Sequence, residues 1–367
     1  MLYDLTIVGG GPAGTSAAIS AARRGARVLV LERGRFPRHK VCGEFVSAES
    51  LSLLAHLLNG ARETLLHDAL RIPRARIFVD GRKLQTSVNP AAASIARVDL
   101  DAALWQSAQI AGADARQQVT VQSIAGSGPF LLRTSDGEFE TRSLVNASGR
   151  WSNLNLSSIG GSGVSGEKWL GVKAHFAEPS SQPSVDLYFF NGGYCGVQPV
   201  SVCGETSATG RVNASAMVRS DVASTLPEVF AQHPALRDRA QNWTSLSEPV
   251  STSPLIFRDP QPTQNSILMV GDAAGFVDPF VGDGISLALR SGALAATCLM
   301  EFFAGRTSLP GVAARYHQLY TRELLPVFRA SSTIRLMLKL PRSVRKPLLY
   351  LLQGAPAITR YAVRKTR

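Results

Sequence analysis

The sequence predicts an α/β fold, α+β overall, in which a domain opened by a parallel βαβ unit is joined to an antiparallel β-sheet domain and a helical C-terminal region. Three observations lead to this prediction. An apolar strand, a glycine turn and a small-residue helix follow one another near the N terminus, alternating strand patterns lie between residues 155 and 257, and a helical pattern runs from Pro310 onward. At 367 residues the chain also exceeds the usual size of one hydrophobic core.

Composition leads us to expect a cytoplasmic protein. Hydrophobic residues make up 45% of the chain, yet no uncharged apolar run reaches the roughly 18 residues that a membrane-spanning helix needs. The N terminus enters a strand directly, without the basic and apolar regions of a signal peptide. The four cysteines show neither CxxC pairing nor histidines at ligand spacing, so we expect no disulfide framework and no metal site.

The N-terminal segment LYDLTIVGGGPAGTSAAISAARRGARVLVLERG predicts a Rossmann-like dinucleotide site. Gly9, Gly11 and Gly14 form GxGxxG between a strand and a helix, and Glu32 ends the second strand 18 residues after Gly14. The first glycine permits a tight turn, the second lets a pyrophosphate approach the backbone, and the third allows close packing of helix on strand. Glu32 is placed to accept hydrogen bonds from a ribose.

A second glycine-rich segment, GDAAGFVDPFVGDGIS at 271–286, favours FAD over a simple NAD site. Its first residues end a buried strand, and the Asp272 carboxylate can accept hydrogen bonds from the ribityl chain. Gly282 and Gly284 allow the N terminus of a helix that begins near Ile285 to approach the ligand. The positive end of that helix favours the negative charge of a reduced flavin, so we expect the cofactor to be FAD.

Five segments, in this order, resemble the FAD enzymes of the para-hydroxybenzoate hydroxylase fold, and within them the geranylgeranyl reductase-like branch. The segments are GGGPAG with Glu32, PRHKVCGE at 37–44, ARVDLDAALW at 96–105, LVNASGRWS at 144–152 and GDAAGFVDPFVGDGISLALRSG at 271–292. The resemblance implies that Arg97 contacts the cofactor and that Cys42 and Gly43 pass close to the isoalloxazine. Without it, Arg97 would be interpreted as a surface charge and Cys42 as a small core residue.

Motifs and resemblance together predict a cofactor-binding set and a domain layout. The predicted FAD-binding residues are Gly9, Gly11, Pro12, Ala13, Gly14, Glu32, Arg33, Cys42, Gly43, Arg97, Ala147, Ser148, Gly149, Gly271, Asp272, Gly282, Asp283, Gly284 and Ile285. The expected domains are a discontinuous FAD-binding domain (1–75, 94–154 and 258–310), a substrate-binding β-sheet domain (76–93 and 155–257) and a basic helical region (311–367).

Two departures from the family pattern concern the electron donor and the substrate. The usual Ala-Asp-Gly reads Ala147-Ser148-Gly149, which removes a carboxylate linked to nicotinamide handling. NADPH or NADH and a separate reductase are therefore alternative electron donors. The family's Tyr-x-Trp-x-Phe-Pro corresponds to YCGVQP at 194–199, which lacks two aromatic walls, so the expected hydrophobic small-molecule substrate need not be a prenyl chain. The predicted substrate contacts are Tyr194, Gly196, Gln198 and Pro199.

Candidate catalytic side chains are few, because flavin chemistry is performed by the cofactor. We select Cys42 and Asp278, and the alternative for Cys42 is a core residue without a redox role. For Asp278, as for Asp283 and Glu44, helix capping or ion pairing is the alternative to proton transfer. The histidines without a partner at a usable spacing are interpreted as structural, namely His175 and His233.

These features leave several function classes open. The breadth of the fold family favours a monooxygenase that hydroxylates an aromatic or otherwise apolar metabolite through a flavin hydroperoxide. The alternative is a geranylgeranyl reductase-like double-bond reductase acting on an isoprenoid or polyketide chain. A flavin-dependent halogenase would be expected to show Trp-x-Trp-x-Ile-Pro, which the sequence lacks. A non-catalytic flavin-binding protein is the remaining class.

The net charge of +12 is concentrated at the C terminus. Ten basic residues and no acidic ones follow Glu323, which leaves 29 basic against 27 acidic residues in the rest of the chain. This basic tail, interleaved with leucines, suits a helix that lies on an anionic membrane surface, and a solvated helical face is the alternative. Nucleic acid is not expected, because no binding motif accompanies the charge.

Overall fold

The structure, a computed structural model, describes residues 2–59, 63–150, 168–203 and 210–339. Its helices are α1 (Pro12–Ala22), α2 (Leu51–Leu58), α3 (Glu63–His67), α4 (Arg97–Ile110), α5 (Leu226–Ala231), α6 (Pro234–Ala240), α7 (Gly284–Phe303), α8 (Leu309–Glu323) and α9 (Leu325–Lys339). Its strands are β1 (Leu2–Val8), β2 (Val28–Glu32), β3 (Phe45–Val46), β4 (Leu70–Val79), β5 (Arg82–Ser94), β6 (Asp114–Gln117), β7 (Val121–Gly126), β8 (Phe130–Thr134), β9 (Gly137–Asn146), β10 (Trp169–Ala177), β11 (Val185–Phe190), β12 (Gly193–Pro199), β13 (Arg211–Arg219), β14 (Thr244–Ser245), β15 (Val250–Thr252), β16 (Thr263–Gln264) and β17 (Ile267–Met269).

The first sheet has the order β16-β17-β9-β1-β2-β6. Five of these strands are parallel, namely β17, β9, β1, β2 and β6. The strands β1 and β2 are almost wholly buried, as continuous apolar runs in a parallel sheet require. Helix α1 crosses between them, so the βαβ unit predicted from the N-terminal motif is confirmed. The hairpin β7–β8 continues the sheet by pairing β8 antiparallel with β9.

The second sheet has the order β14-β10-β13-β12-β11-β4-β5-β3 and is antiparallel except for β11, which runs parallel to β4. The hairpin β4–β5 turns at residues 80 and 81, as the Asp-Gly pair predicts, and its strands extend beyond the predicted 76–93. The mixed α/β architecture with a second, mainly antiparallel sheet therefore agrees with the fold class read from the sequence.

Within the described residues, helix α7 alone has the length and mean hydropathy (1.3) of a membrane-crossing helix. However, α7 packs along α1, where a Cβ at Gly292 would come within 2.1 Å of the Ala13 carbonyl oxygen. Its apolar face is thus used inside the protein, as expected for a core helix.

The C-terminal pattern is helical as predicted, with α8 ending at Glu323 and α9 beginning at Leu325, next to Pro326. Residues 155–167 of the predicted β-sheet domain lie outside the described residues. So do residues 340–367, which contain most of the basic tail.

Candidate active site

The two sheets enclose a cavity of about 1300 Å³. One end is lined by the loops after β1 and β2 and by the N termini of α1 and α7, and the other by strands of the second sheet. Single-ligand pockets typically occupy about 300–1,000 Å³, so this cavity has room for a large cofactor and a substrate side by side.

The glycines of the N-terminal motif have the three different roles that the motif predicts. Gly9 has a φ of +110°, and an added Cβ would lie 2.3 Å from the Ala147 carbonyl oxygen. A Cβ at Gly14 would lie 1.9 Å from the carbonyl oxygen of Gly9, so this glycine is required for packing. A Cβ at Gly11 would meet no atom within 4 Å, because Gly11 faces the cavity. A ligand can therefore approach the backbone there, at the N terminus of α1.

Glu32 lines the cavity at the end of β2, as predicted, but its carboxylate is already hydrogen-bonded by the protein. Gly34 N donates to Oε1 at 2.7 Å, Arg38 donates to the same oxygen at 2.9 Å, and Gly10 N donates to Oε2 at 2.8 Å. Burial raises the pKa of Glu32, but these donors outweigh burial and lower it overall. Oε2 has capacity for one more donor, such as a ribose hydroxyl.

The second glycine-rich segment brings the N terminus of α7 to the cavity. Gly282, Gly284 and Ile285 line it, and a Cβ at Gly284 would meet no atom within 4 Å. Asp272 also lines the cavity, and its carboxylate lies 3.5 Å from Arg150 Nε. The segment therefore presents helix backbone and an acceptor to the cavity, as a flavin site requires.

The loop that contains Cys42 and Gly43 lines the cavity between these two ends. Arg97, at the start of α4, also lines the cavity, and its guanidinium makes two hydrogen bonds to the buried Asp101 at 2.8 and 2.7 Å. Burial opposes the charge of Arg97, but Asp101 raises its pKa. Arg97 is consequently a fixed cation at the cavity wall rather than a surface charge.

The second sheet closes the cavity with an aromatic wall. Tyr194 lies 5.4 Å from Phe189 and 5.9 Å from Phe280, measured between ring centroids. Phe276 and Phe45 line other parts of the cavity. Burial raises the pKa of Tyr194 well above its ordinary value, so its hydroxyl stays neutral. Positions 196 and 198 carry no aromatic side chain, and the aromatic side chains of this cavity come from other segments as well as from Tyr194.

An apolar arm extends from this aromatic wall along the hairpin β4–β5. We define the arm by the apolar cavity-lining residues of β4, β5 and β11 next to this wall, namely Ala75, Ile77, Val79, Leu84, Val88, Val185 and Leu187. The polar residues Lys83, Gln85, Thr86 and Ser87 of β5 line the cavity beside them. The side chains on β4 alternate along the strand, so one face of the hairpin is turned to the cavity. The arm suits an elongated apolar ligand better than a compact one.

Most predicted site residues meet at this cavity, but four do not line it. Gly14 packs behind the motif, Pro199 lies beyond Gln198, and Asp278 and Asp283 lie next to lining residues without lining the cavity themselves. The buried Asp278 forms an ion pair with Arg335 at 3.2 Å. The ion-pairing alternative for Asp278 is therefore the one that the geometry favours. Asp283 precedes α7 and has no side-chain capping bond to it.

Glu44 is the centre of a buried ionic cluster, so ion pairing is the alternative that the geometry favours for Glu44 as well, although its partners Lys173 and His175 were not predicted. Lys173 donates to its Oε1 and His175 Nε2 lies beside its Oε2, both at 2.7 Å, and the backbone N of Arg97 also donates to Oε1 at 2.9 Å. Burial alone would raise the pKa of Glu44, but His175 and Lys173 lower it to about 2. Lys173 and His175 alternate within the apolar strand β10, and this is the sequence signal that could have revealed the cluster.

The cavity fits FAD by shape and by chemistry. Glycines line it at positions 11, 43, 149 and 284, and at each of them an added Cβ would meet no atom within 4 Å. Two helix N termini face the same space, which favours phosphates and an anionic reduced ring. Among the described residues, no cluster of three His, Cys, Asp or Glu side chains could hold a metal ion.

Comparison with known proteins agrees with this geometry. The sequence profile described as "FAD binding domain" matches residues 3–329. The chain is 27% identical to the menaquinone reductase of Mycobacterium tuberculosis over 81% of this chain and 76% of that protein. Its fold is shared by a geranylgeranyl bacteriochlorophyll reductase-like protein of Thermoplasma acidophilum (TM-score 0.78, 20% identity, 100% and 95% of the two chains covered). The flavin-dependent brominase Bmp2 also shares it (TM-score 0.76, 20% identity, 100% and 99% covered).

Proposed function

From the premise that this chain belongs to the FAD binding domain family and is an FAD-dependent oxidoreductase, we propose that it saturates a carbon–carbon double bond in an elongated apolar substrate of the isoprenoid kind. The observation that carries the proposal is the apolar arm, which is continuous with the cofactor end of one cavity. When bound, FAD supplies the electron pair, as a hydride, that saturates the bond.

The chain's own residues bind and shield such a substrate. Phe189, Tyr194 and Phe280 exclude water from the region between the cofactor end and the arm. The arm then holds the rest of the chain by burial, at about 25 cal/mol for each Å² of apolar surface removed from water. Similarity to a menaquinone reductase supports a prenylated substrate over a small polar one.

Hydroxylation is the competing reaction, favoured by the breadth of the fold family, and halogenation is a further one because Bmp2 shares the fold. Both need oxygen, whereas saturation does not. The test uses the FAD-loaded protein, reduced with dithionite under anaerobic conditions and mixed with menaquinone-4 in detergent. Products are then exposed to air and analysed by mass spectrometry, with an aerobic arm that contains bromide.

A gain of two mass units that survives exposure to air supports the proposal, because a reduced quinone ring reoxidises in air while a saturated chain bond does not. A gain of sixteen units in the aerobic arm would indicate hydroxylation, and a bromine isotope pattern would indicate halogenation. Recovery of unchanged menaquinone-4 from every arm would contradict the proposal.

For the electron donor, we propose a separate reductase or a reduced quinone rather than rapid direct reduction by NADPH or NADH. Ser148 occupies the position of the usual aspartate, and its hydroxyl donates to Asn146 Oδ1 at 2.5 Å. This hydroxyl is thus satisfied locally and adds no charge to the cavity. Stopped-flow bleaching of the flavin tests this, and fast, saturable reduction by either nicotinamide without substrate would contradict it.

We further propose that the protein is cytoplasmic and binds anionic membranes peripherally through the basic tail. Arg335 does not contribute, because it is turned inward to Asp278, so the proposal depends on the basic residues after α9. Near an anionic surface, each of these basic residues contributes up to about 1 kcal/mol to the free energy of membrane binding. Sedimentation with phosphatidylserine vesicles should show binding that weakens with salt and with Arg342→Gln, Arg345→Gln and Lys346→Gln combined. Equal partitioning of this variant and the wild type would contradict the proposal.

A further inference from the structure

A cavity-facing histidine sits on the buried ionic cluster described above. His39 lines the cavity, and its Nδ1 lies 3.5 Å from Lys173 Nζ, at the long end of hydrogen-bond distance. Its ring meets that of His175 edge to face, with centroids 5.3 Å apart. Lys173 is 1% exposed and is held on its other side by Glu44 at 2.7 Å. Lys173 therefore lies between His39 and Glu44, both of which line the cavity, while His175 contacts both of them.

The contact with Lys173 favours one tautomer of the His39 ring. A lysine ammonium can only donate hydrogen bonds, so it stabilises the tautomer in which the facing Nδ1 is the unprotonated, accepting nitrogen. The proton of the neutral ring is then on Nε2, the nitrogen left to meet a ligand. Imidazole is the side chain that can accept a proton at one nitrogen while it gives one from the other.

The cluster is costly to maintain for a purely structural element. The Glu44 carboxylate and the Lys173 ammonium are each at most 1% exposed, and burying ions costs several kcal/mol apiece before pairing offsets it. Glu44 also has a φ of +61°, a left-handed conformation that is unfavourable for a residue with a side chain. Such strain and buried charge beside a cavity point to a functional role.

We propose that His39 delivers the proton that completes the saturation of the substrate double bond, and that Lys173 replaces it. The proton on Nε2 moves to the carbon next to the one that receives the hydride, and an N–H bond breaks as a C–H bond forms. At the same time Nδ1 takes a proton from Lys173, which becomes a neutral amine bonded to Glu44. After the transfer, Nε2 takes a proton from water in the cavity and Nδ1 returns its proton to Lys173, which restores the starting state. Glu44 and His175 are positioning residues that hold Lys173 toward the ring.

The charged and titratable groups around His39 are consistent with proton transfer from Lys173 to the ring and from the ring to the substrate. Lys173 and His175 face it from β10, Arg211 from β13, and Glu44 from its own loop. Burial, Lys173 and His175 lower the pKa of His39, and Glu44 opposes them more weakly. The ring is therefore neutral near pH 7, so a proton given from Nε2 has to be matched by one received at Nδ1.

This inference rests on the proposed function, and its first test measures proton delivery in the FAD-loaded protein. Single-turnover saturation of menaquinone-4 by the dithionite-reduced protein is followed for wild type, His39→Gln, His39→Ala and the exposed-histidine control His56→Gln. General acid catalysis typically contributes 10²–10⁴-fold, so His39→Gln should be slower by about that factor with unchanged FAD content. Added imidazole should partly restore His39→Ala, and His56→Gln should match wild type.

A second readout needs neither cofactor nor substrate. In apoprotein labelled with ¹⁵N-histidine, the resonance pair that disappears in His39→Gln should show a protonated Nε2 and a bare Nδ1 at pH 7. In the double variant Lys173→Met with Glu44→Gln, which leaves no buried ion unpaired, this tautomer preference should weaken or reverse.

These experiments distinguish failure of the His39 proton relay from failure of the proposed double-bond saturation. If wild type saturates menaquinone-4 and His39→Gln does so at the same rate, the proton role of His39 is wrong while the proposed function stands. If wild type leaves menaquinone-4 unchanged, the proposed function fails, and the tautomer still decides whether Lys173 can supply His39. A protonated Nδ1 in the wild type would overturn the relay in either case.

Discussion

At the residue scale, two glycines of one motif predict opposite responses to the same substitution. Gly11→Ala places a methyl group in open cavity, so the apoprotein should melt like wild type while FAD affinity falls at least tenfold, about 1.4 kcal/mol. Gly14→Ala forces a Cβ to within 1.9 Å of a backbone oxygen and should destabilise the apoprotein by roughly 1–3 kcal/mol or more. Thermal melting and FAD titration measure the two effects, and equal behaviour of both variants would contradict these roles.

Glu44 gives a prediction for stability and its pH dependence. Its pKa is depressed to about 2, so its stabilising contribution is complete above the ordinary value of 4.5 and is lost as pH falls toward 2. Glu44→Gln should cost about 3–5 kcal/mol at pH 7, because Lys173 is left as an unpaired buried charge. Adding Lys173→Met should recover much of this loss. Denaturant unfolding at pH 7 and pH 3 measures it, and a Glu44→Gln variant as stable as wild type at pH 7 would count against the cluster.

At the residue scale, the sequence predicts roles that depend on local backbone geometry better than roles that depend on tertiary contacts. The spacing of Gly9, Gly11 and Gly14 was sufficient to predict the turn at Gly9 and the close packing at Gly14. Lys173 and His175 stand out within apolar β10, but their pairing with Glu44 could not be predicted, because they are more than 120 residues away from it in the chain. No local spacing rule connects residues that only the docking of the second sheet brings together.

At the element scale, α9 closes one side of the cavity. Ile334 lines the cavity, and Arg335 pairs with the buried Asp278 and lies 4.2 Å from the ring centroid of Phe257. Arg335→Ala leaves the Asp278 charge without this cation, so we expect faster hydrogen exchange in α9 and in the segment around Asp278. The exposed Arg329→Ala on the same helix is the control. Unchanged exchange in Arg335→Ala would show that α9 is held by its apolar contacts alone.

Elements were predictable where periodicity is strong. The β1–α1–β2 unit and the turn of the β4–β5 hairpin follow from apolar runs and turn residues. The length of the hairpin could not be predicted in this way, because β4 continues back to Leu70 through three positively charged residues, Arg71, Arg74 and Arg76. Strand extent there is set by pairing with β5 and β11, and sequence patterns carry little information about pairing.

At the scale of the whole molecule, the cavity depends on how the two sheets face each other. Most residues predicted for the cofactor and the substrate, including Tyr194 and Gln198, line this one cavity. Phe189 and Phe280, which the sequence did not single out, contact Tyr194 there from other elements. The apolar arm could not be predicted, because it is formed by β4, β5 and β11, which adjoin only in the folded sheet.

The most direct test of the account concerns this arm. Ile77→Trp should fill the arm without touching the residues that hold FAD, and Ile77→Val is the matched control. Single-turnover saturation is measured anaerobically with menaquinone-1 and menaquinone-4, which differ in the length of their prenyl chain. We predict that Ile77→Trp retains FAD and acts on menaquinone-1 like wild type, but slows at least tenfold with menaquinone-4. Equal rates with the long-chain substrate in Ile77→Trp and wild type would contradict the claim that one cavity holds FAD and an elongated apolar substrate side by side.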